Sequence, residues 1–177
     1  MKTVFLIGFM GSGKTTLGLA LAHATGMPLV DLDQYIEERT GMSVREYFAC
    51  YGEEAFRREE RQALEHVVAA SVGNGMIVAC GGGTPCRPGN MELMNSGGLT
   101  VWLQTSVPVL LRRLKEGRAQ RPLIASLGDD ELEKYIVDRL AERDPYYSAA
   151  AASFDSTFLE SEEEVAGSVT KFITEFL

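Results

Sequence analysis

A glycine-rich loop that ends in lysine and threonine lies near the amino terminus. Residues 8–15 read GFMGSGKT, fit the pattern G-x-x-x-x-G-K-[ST], and follow the apolar run Val4–Ile7. In such a loop the backbone amides surround phosphate oxygens, the lysine contacts the β- and γ-phosphates, and the hydroxyl ligates Mg²⁺. The strand and helix predicted on either side favour this function over a glycine-rich turn that matches by chance. We expect six residues to bind a nucleotide: Gly11, Ser12, Gly13, Lys14, Thr15 and Thr16.

Two carboxylates and a triple glycine follow other apolar runs. Asp31 and Asp33 are two residues apart, so they project to the same side if the chain is extended there. One could assist Mg²⁺ while the other meets an acceptor hydroxyl, although such residues are also common turn formers. The glycines at 81–83 follow the apolar run 76–80, which indicates close approach of the backbone to a ligand, with a plain tight turn as the alternative.

Three arginines are candidates for anion binding. Arg121 precedes Pro122 in the polar connection 117–128, where a closing lid could bring a cation to the transferred phosphoryl group. An ordinary surface charge is the alternative there. Arg143 is predicted to end a helix, where a cation is stabilising with or without a ligand. Arg57 belongs to the run FRREE, a pattern typical of a solvated, salt-bridged helical face.

The rest of the pattern predicts alternating strands and helices. Predicted strands cover 4–7, 29–31, 76–80, 99–103 and 153–158, and predicted helices cover 14–25, 32–38, 53–70, 106–116 and 129–143. Capping boxes at Ser43 and Ser161 start two more helices, and the alanine run 149–152 is expected to continue a helix. Such alternation predicts a parallel sheet covered on both faces, with ligands at the carboxyl ends of the strands.

Composition sets broad limits on the function. With 177 residues and 45% hydrophobic content, we expect a single domain over 1–177. A net charge of −8 argues against a nucleic-acid surface, and no segment approaches the roughly 20 apolar residues of a membrane span. We read the apolar stretch after Met1 as a strand, not a signal peptide, and expect a cytoplasmic protein. The odd set Cys50, Cys80 and Cys86 predicts free thiols that pack in the core.

Six of these segments, in their order and spacing, resemble shikimate kinase across nearly the whole chain. They are GFMGSGKT, DLD at 31–33, FRREE from Phe56, GGG from Gly81, RPL from Arg121 and RDPYY from Arg143. The resemblance implies a nucleoside-monophosphate-kinase-like P-loop fold: a three-layer α/β domain with a five-stranded parallel sheet in the order 2-3-1-4-5. It also implies an enzyme that uses ATP as co-substrate, with Mg²⁺, to phosphorylate the 3-hydroxyl of shikimate in the pathway to chorismate and aromatic amino acids. We expect a monomer.

The same resemblance implies roles for individual residues. Asp31 would help Thr15 to hold Mg²⁺, and Asp33 would bind the substrate hydroxyls and act as the base. Arg57, Gly82 and Arg143 would bind shikimate, with the two arginines on its carboxylate. The catalytic set would be Lys14, Asp33 and the lid arginine Arg121. The shikimate-binding segment would cover about 33–61, with Glu60 orienting Arg57 and with Phe48 and Phe56 as the pocket wall, and the lid would cover about 117–128.

Some positions depart from the family pattern, and other functions stay open. Leu19 stands where arginine is usual, and Cys80 where threonine is common. The segment after Tyr147 and around Phe158 matches poorly, so no adenine contact is assigned. A gluconate kinase-like enzyme shares the loop and an anionic polyol substrate. A nucleotide switch is a further alternative, although the chain has no N-K-x-D guanine-recognition segment.

Overall fold

Five parallel strands form the central sheet of the protein. The computed structural model describes residues 2–118, 121 and 123–177. The strands are β1 (Val4–Ile7), β2 (Leu29–Asp31), β3 (Ile77–Ala79), β4 (Leu99–Gln104) and β5 (Ala152–Asp155). Their spatial order is β2-β3-β1-β4-β5, and every neighbouring pair is parallel. The predicted fold class and strand order are confirmed.

Helices cover both faces of this sheet. In the described residues they are α1 (Lys14–Thr25), α2 (Leu32–Thr40), α3 (Val44–Ala70), α4 (Asn90–Gly97), α5 (Val107–Glu116), α6 (Asp129–Tyr147) and α7 (Glu162–Phe176). One apolar core lies between the sheet and α2, α3 and α4, and a second lies between the sheet and α1 and α7. All four residues of β1 are buried, as expected for a central parallel strand.

Local signals set most helix boundaries as predicted. Both capping boxes form: the Ser43 hydroxyl accepts from the Glu46 amide and the Ser161 hydroxyl from the Glu164 amide, each at 3.2 Å. Gly26 ends α1 in the left-handed conformation. Ser106 occupies the N-cap position of α5, but its side chain makes no capping hydrogen bond.

The helix predicted to start at Ser43 and the predicted helix 53–70 form one element. Residues 44–70 form the continuous element α3, which is kinked at Gly52, where φ is 79° and ψ is 174°. This left-handed, non-helical conformation favours glycine, because a side chain there would be strained. The kink separates the capped first segment from the second segment, which begins at Glu53.

Four expectations from the sequence are wrong. Arg143 does not end a helix, since α6 continues through Pro145 to Tyr147. The alanine run does not continue this helix, because a turn follows Tyr147 and β5 begins at Ala152. No element was expected between 84 and 97, where a 3-10 turn (Thr84–Cys86) and α4 lie. Cys50 is exposed, whereas Cys80 is buried and Cys86 is half-buried.

Two further expectations concern membrane-spanning segments and the predicted lid. In the described part of the chain, no helix is long and apolar enough to cross a membrane. In the predicted lid 117–128, three residues lie outside the described residues: 119, 120 and 122. Residue 122 is the proline of the RPL motif.

Candidate active site

The loop between β1 and α1 encloses the side chain of Lys14. The Lys14 ammonium donates hydrogen bonds to the backbone oxygens of Gly8 and Phe9, both at 2.9 Å. Burial lowers the pKa of Lys14 to about 8, and the nearby carboxylate of Asp33 opposes part of this shift. The loop thus holds a partly buried cation at the carboxyl end of β1, where phosphates bound over the loop can contact it.

A cavity of about 370 Å³ lies over this loop. It brings together most of the predicted nucleotide-binding residues with the predicted lid arginine. Its lining includes Gly11, Gly13, Lys14, Thr15, Thr16, Arg113, Arg121 and Glu160.

Ser12 lies apart from the other predicted nucleotide-binding residues. It is 1% exposed, and its hydroxyl has no hydrogen-bond partner among the described residues. It lines a neighbouring cavity of about 800 Å³ at the carboxyl end of β4. The side chain of Ser12 is therefore not placed in the smaller cavity over the loop.

Thr15 and Asp31 meet at the carboxyl ends of β1 and β2. The Thr15 hydroxyl donates to Asp31 Oδ2 at 3.1 Å, while Asp31 Oδ1 accepts from the amides of Asp33 and Gln34 as the N-cap of α2. A hydroxyl and a carboxylate side by side fit Mg²⁺, which binds one or two protein oxygens plus substrate phosphates and water. The described residues contain no group of three His, Cys, Asp or Glu side chains that would form an all-protein metal site.

Asp33 does not project to the same side of an extended strand as Asp31, because α2 already begins at Leu32. Its carboxylate is accessible from the cleft, yet the surrounding protein raises its pKa to about 6 by desolvation, with the Asp31 and Glu60 carboxylates as further causes. A carboxylate with this pKa accepts a proton more readily than an ordinary aspartate does.

The triple glycine after β3 lies against three of the predicted substrate residues. A β-carbon at Gly81 would be 3.0 Å from Asp33 Oδ1, one at Gly82 would be 3.1 Å from Arg143 Nη1, and one at Gly83 would be 3.2 Å from Arg57 Nη1. The β-carbon at Gly82 would also lie 3.4 Å from the backbone oxygen of Gly8 in the phosphate loop. The absence of side chains at 81–83 therefore lets a carboxylate and two guanidinium groups converge beside this loop.

Arg57 is held by a buried carboxylate on the same helix. Its Nη1 donates to Glu60 Oε2 at 3.0 Å, and Glu60 Oε1 accepts from the Thr84 hydroxyl at 2.7 Å. Glu60 is 1% exposed, so its hydrogen bonds are shielded from solvent. The guanidinium also lies 5.8 Å from the ring centre of Phe48 and 5.5 Å from that of Phe56.

Arg143 and Tyr147 both bind the backbone of the triple glycine. Arg143 Nη1 and the Tyr147 hydroxyl both donate to the backbone oxygen of Gly82, at 3.2 and 2.7 Å. The Arg143 guanidinium lies 5.4 Å from the ring centre of Phe9. Tyr147 is buried, which raises its pKa to about 12 and keeps its hydroxyl protonated as a donor.

The sequence of the chain matches a known family. The family model for shikimate kinase matches residues 10–174 of the chain. A shikimate kinase of Phocaeicola vulgatus is 43% identical over 169 residues, which cover 96% of this chain and 95% of that relative. The chain belongs to the shikimate kinase family.

Solved structures of shikimate kinases share the fold. The enzyme from Bacteroides thetaiotaomicron superposes with a TM-score of 0.92 at 41% identity, covering 98% of this chain and 97% of that one. The enzyme from Acinetobacter baumannii, in complex with shikimate, has a TM-score of 0.82 at 28% identity and covers 98% of this chain and 92% of that one.

One departure from the shikimate kinase pattern lies on the exposed surface, and the other is buried beside the triple glycine. Leu19 is 58% exposed on α1. Cys80 is buried at the end of β3, with its sulfur 3.7 Å from the sulfur of Met94. Burial raises the pKa of the Cys80 thiol far above its usual range, so the thiol stays protonated.

Three residues at the site of this shikimate kinase family member were given no role from the sequence. Arg113 contacts the backbone oxygens of Gly11 and Thr157 at 3.1 and 2.8 Å and lines the cavity over the phosphate loop. Thr84 and Tyr147, described above, complete the set. Signals existed for two of them: Tyr147 ends the RDPYY segment, and Arg113 stands three residues after the buried Leu110, at a position of the helical stripe that is usually apolar.

Proposed function

We propose that this protein transfers the γ-phosphoryl group of ATP to the 3-hydroxyl of shikimate, giving shikimate 3-phosphate and ADP. One observation carries this function: the triple glycine gathers the carboxylate of Asp33 and the guanidinium groups of Arg57 and Arg143 beside the phosphate loop. The acceptor must be a small anion with a hydroxyl, and family membership specifies it as shikimate.

The phosphate loop binds the nucleotide. The backbone of Gly11, Ser12 and Gly13 and the side chain of Thr16 surround the phosphates, and Lys14 moves its ammonium from the loop carbonyls to the β- and γ-phosphates. Bound phosphates raise the pKa of Lys14, so it carries its full charge during the reaction. Thr15 and Asp31 would hold Mg²⁺, which would supply neutralisation of charge on the transferred group.

The acceptor lies between the triple glycine and α2. Arg57 and Arg143 bind its carboxylate by charge-assisted hydrogen bonds, which are short-ranged and selective for planar anions. The amide of Gly82 approaches the ring because no side chain is in the way. Glu60 holds Arg57 in place, and Phe48 and Phe56 form the apolar wall.

Asp33 accepts the proton of the 3-hydroxyl. As this proton leaves, the hydroxyl oxygen bonds to the γ-phosphorus, the bond from phosphorus to the bridging oxygen breaks, and ADP departs with that oxygen. Phosphoryl transfer requires positioning and neutralisation of charge more than covalent catalysis. Arg121 supplies a third cation, beside Lys14 and Mg²⁺, when the lid 117–128 closes.

A coupled ADP-release assay tests this function directly. We expect turnover with shikimate, far less with quinate and gluconate, and none when Mg²⁺ is omitted. Phosphorus NMR of the product should show the phosphate on the 3-oxygen. Lys14→Ala is the matched control for contaminating kinases, and we expect it to lose at least ~10²-fold in turnover. Equal or greater turnover with gluconate would assign the protein to a different acceptor.

A further inference from the structure

The guanidinium of Arg57 contacts two carboxylates of its own chain. Nη1 donates to Glu60 at 3.0 Å, as described above, whereas Nε and Nη2 both donate to Glu53 Oε1, at 3.4 and 3.3 Å. The edge formed by Nε and Nη2 is one of the two edges with which an arginine binds a carboxylate in bidentate fashion. Glu53 therefore covers donors that an acceptor carboxylate could use.

The two carboxylates differ in how readily they can leave Arg57. The side chain of Glu60 is 1% exposed, so its departure would leave an unpaired buried charge. The side chain of Glu53 is 58% exposed and moves into water when it leaves. An exposed ion pair with long contacts contributes little, so an incoming carboxylate displaces Glu53 and leaves Glu60 in place.

Arg87 offers Glu53 a second cation. Arg87 directly follows the 3-10 turn 84–86, and its Nη2 donates to the same oxygen, Glu53 Oε1, at 2.9 Å. This contact is shorter than either contact between Glu53 and Arg57. Once it has left Arg57, Glu53 thus keeps a charged partner and does not have to move far.

We propose that Glu53 is an internal competitor for the carboxylate site at Arg57, and that Arg87 is a positioning residue that draws Glu53 aside when the substrate binds. This inference rests on the proposed function, because it assigns the acceptor carboxylate to Arg57. It makes the affinity for the acceptor depend on two residues that do not touch the acceptor.

The first test removes the competitor. In Glu53→Gln the charge is lost and the size is kept, so we expect KM for shikimate to fall about 2- to 5-fold, the range for losing one exposed ion pair, while kcat changes less than twofold. Glu54→Gln is the matched control, since Glu54 is the next residue and approaches Arg87 at 3.8 Å without being paired to Arg57. An equal fall of KM in both variants would indicate general charge relief and overturn the inference.

The second test removes Arg87. We expect Arg87→Ala to raise KM for shikimate by about 2- to 5-fold, because Glu53 then stays on Arg57, and Arg87→Lys to recover part of the loss. In the double variant with Glu53→Gln, the loss should disappear, because no competitor is left for Arg87 to hold. If Arg87→Ala raises KM equally in the Glu53→Gln background, Arg87 acts on the substrate directly and the inference is wrong.

A substrate without the carboxylate separates the competition from structural effects. With a shikimate analogue reduced to the alcohol, KM should be the same in wild type, Glu53→Gln and Arg87→Ala. Thermal unfolding of each variant checks that the fold is intact. A rise of KM for shikimate in Glu53→Gln would mean that Glu53 orients Arg57, which overturns the inference while the proposed function stands. Absence of shikimate turnover in the wild type would instead overturn both.

Discussion

At the scale of single residues, the site depends on charges held at unusual pKa values. Desolvation by surrounding protein atoms and three nearby carboxylates raise the pKa of Asp33 to about 6, and desolvation in the phosphate loop lowers the pKa of Lys14 to about 8. Each shift moves a group toward the physiological range, as is common for groups that exchange protons or bind charged substrates. Both residues lie within the same cluster at the carboxyl ends of β1 and β2.

The raised pKa of Asp33 leads to a testable pH dependence. Because the base must be ionised, we expect kcat/KM for shikimate to fall about tenfold per pH unit below pH ~6, the pKa of Asp33 in the free enzyme. Asp33→Asn should lower kcat far more than ATP affinity, since the amide keeps the shape but cannot accept the proton. An acid limb near pH 4 would contradict this, and a variant that loses ATP binding instead would move Asp33 to the metal site.

The arginine pair gives a second prediction at this scale. Removing either guanidinium, in Arg57→Ala or Arg143→Ala, should cost about 1.5–3 kcal/mol because a charge-assisted hydrogen bond is lost. At about 1.4 kcal/mol per tenfold, kcat/KM for shikimate should fall at least ~10-fold. Arg→Lys should restore little, because an ammonium lacks the planar fork.

The control for the arginine pair is the acceptor reduced to an alcohol. Wild type should discriminate against it, and the losses from variant and analogue should not add when they are combined. If both alanine variants still discriminate fully between the two acceptors, the carboxylate is bound elsewhere.

At the scale of elements, the connection between α5 and α6 carries Arg121 toward the phosphate loop. Arg121 lines the cavity over this loop together with Lys14 and Arg113. The predicted lid 117–128 and the catalytic role of Arg121 are still predictions. Substrate-induced closure of such a connection would exclude water and complete the set of cations.

We expect Arg121→Ala to depress kcat by ~10²-fold, the scale for losing one positioned charge in phosphoryl transfer. We also expect limited proteolysis within 117–128 to slow when nucleotide and acceptor bind together, because the closed segment is less accessible. Cleavage at other sites in the same digest is the internal control. Unchanged cleavage with both ligands present would argue against a closing lid.

At the scale of the whole molecule, one sheet carries both halves of the site. The phosphate loop follows β1, Asp31 ends β2, and the triple glycine follows β3. These strands are neighbours in the order β2-β3-β1, so their carboxyl ends meet at one edge. Displacement of one strand would therefore disturb both the nucleotide site and the acceptor site.

The predicted single domain over 1–177 can be tested by calorimetry. We expect one unfolding transition with equal calorimetric and van't Hoff enthalpies. A non-hydrolysable ATP analogue and shikimate, each at 100 times its Kd, should add about 2.7 kcal/mol apiece and raise Tm by roughly 5–10 °C per ligand. Two separate transitions would show that part of the chain unfolds independently.

Local patterns in the sequence determined much of this protein. The phosphate loop, the capping boxes and three of the five strand starts depend on residues close in the chain, and alternation of strands and helices implied the parallel sheet. The family resemblance supplied the strand order and the substrate-binding roles of Asp33, Arg57, Gly82 and Arg143, which the structure brings together. Stretches with mixed signals, such as 84–97 with its two prolines and Gly89, showed no periodicity that would reveal a helix.

Only the tertiary structure decided the contacts between distant residues. Tyr147 and Gly82 are 65 positions apart, and Arg113 and Gly11 are 102 positions apart, yet each pair is joined by a hydrogen bond. Distant contacts also affect the end of α6, which continues through Pro145 although a proline inside a helix is unfavourable. The hydrogen bonds from Arg143 and Tyr147 to the backbone oxygen of Gly82 help to hold this last turn. The position of Glu53 between Arg57 and Arg87 likewise depends on α3 and the turn after β3 packing together. Such contacts form only when the sheet brings these elements together, so no local pattern could indicate them.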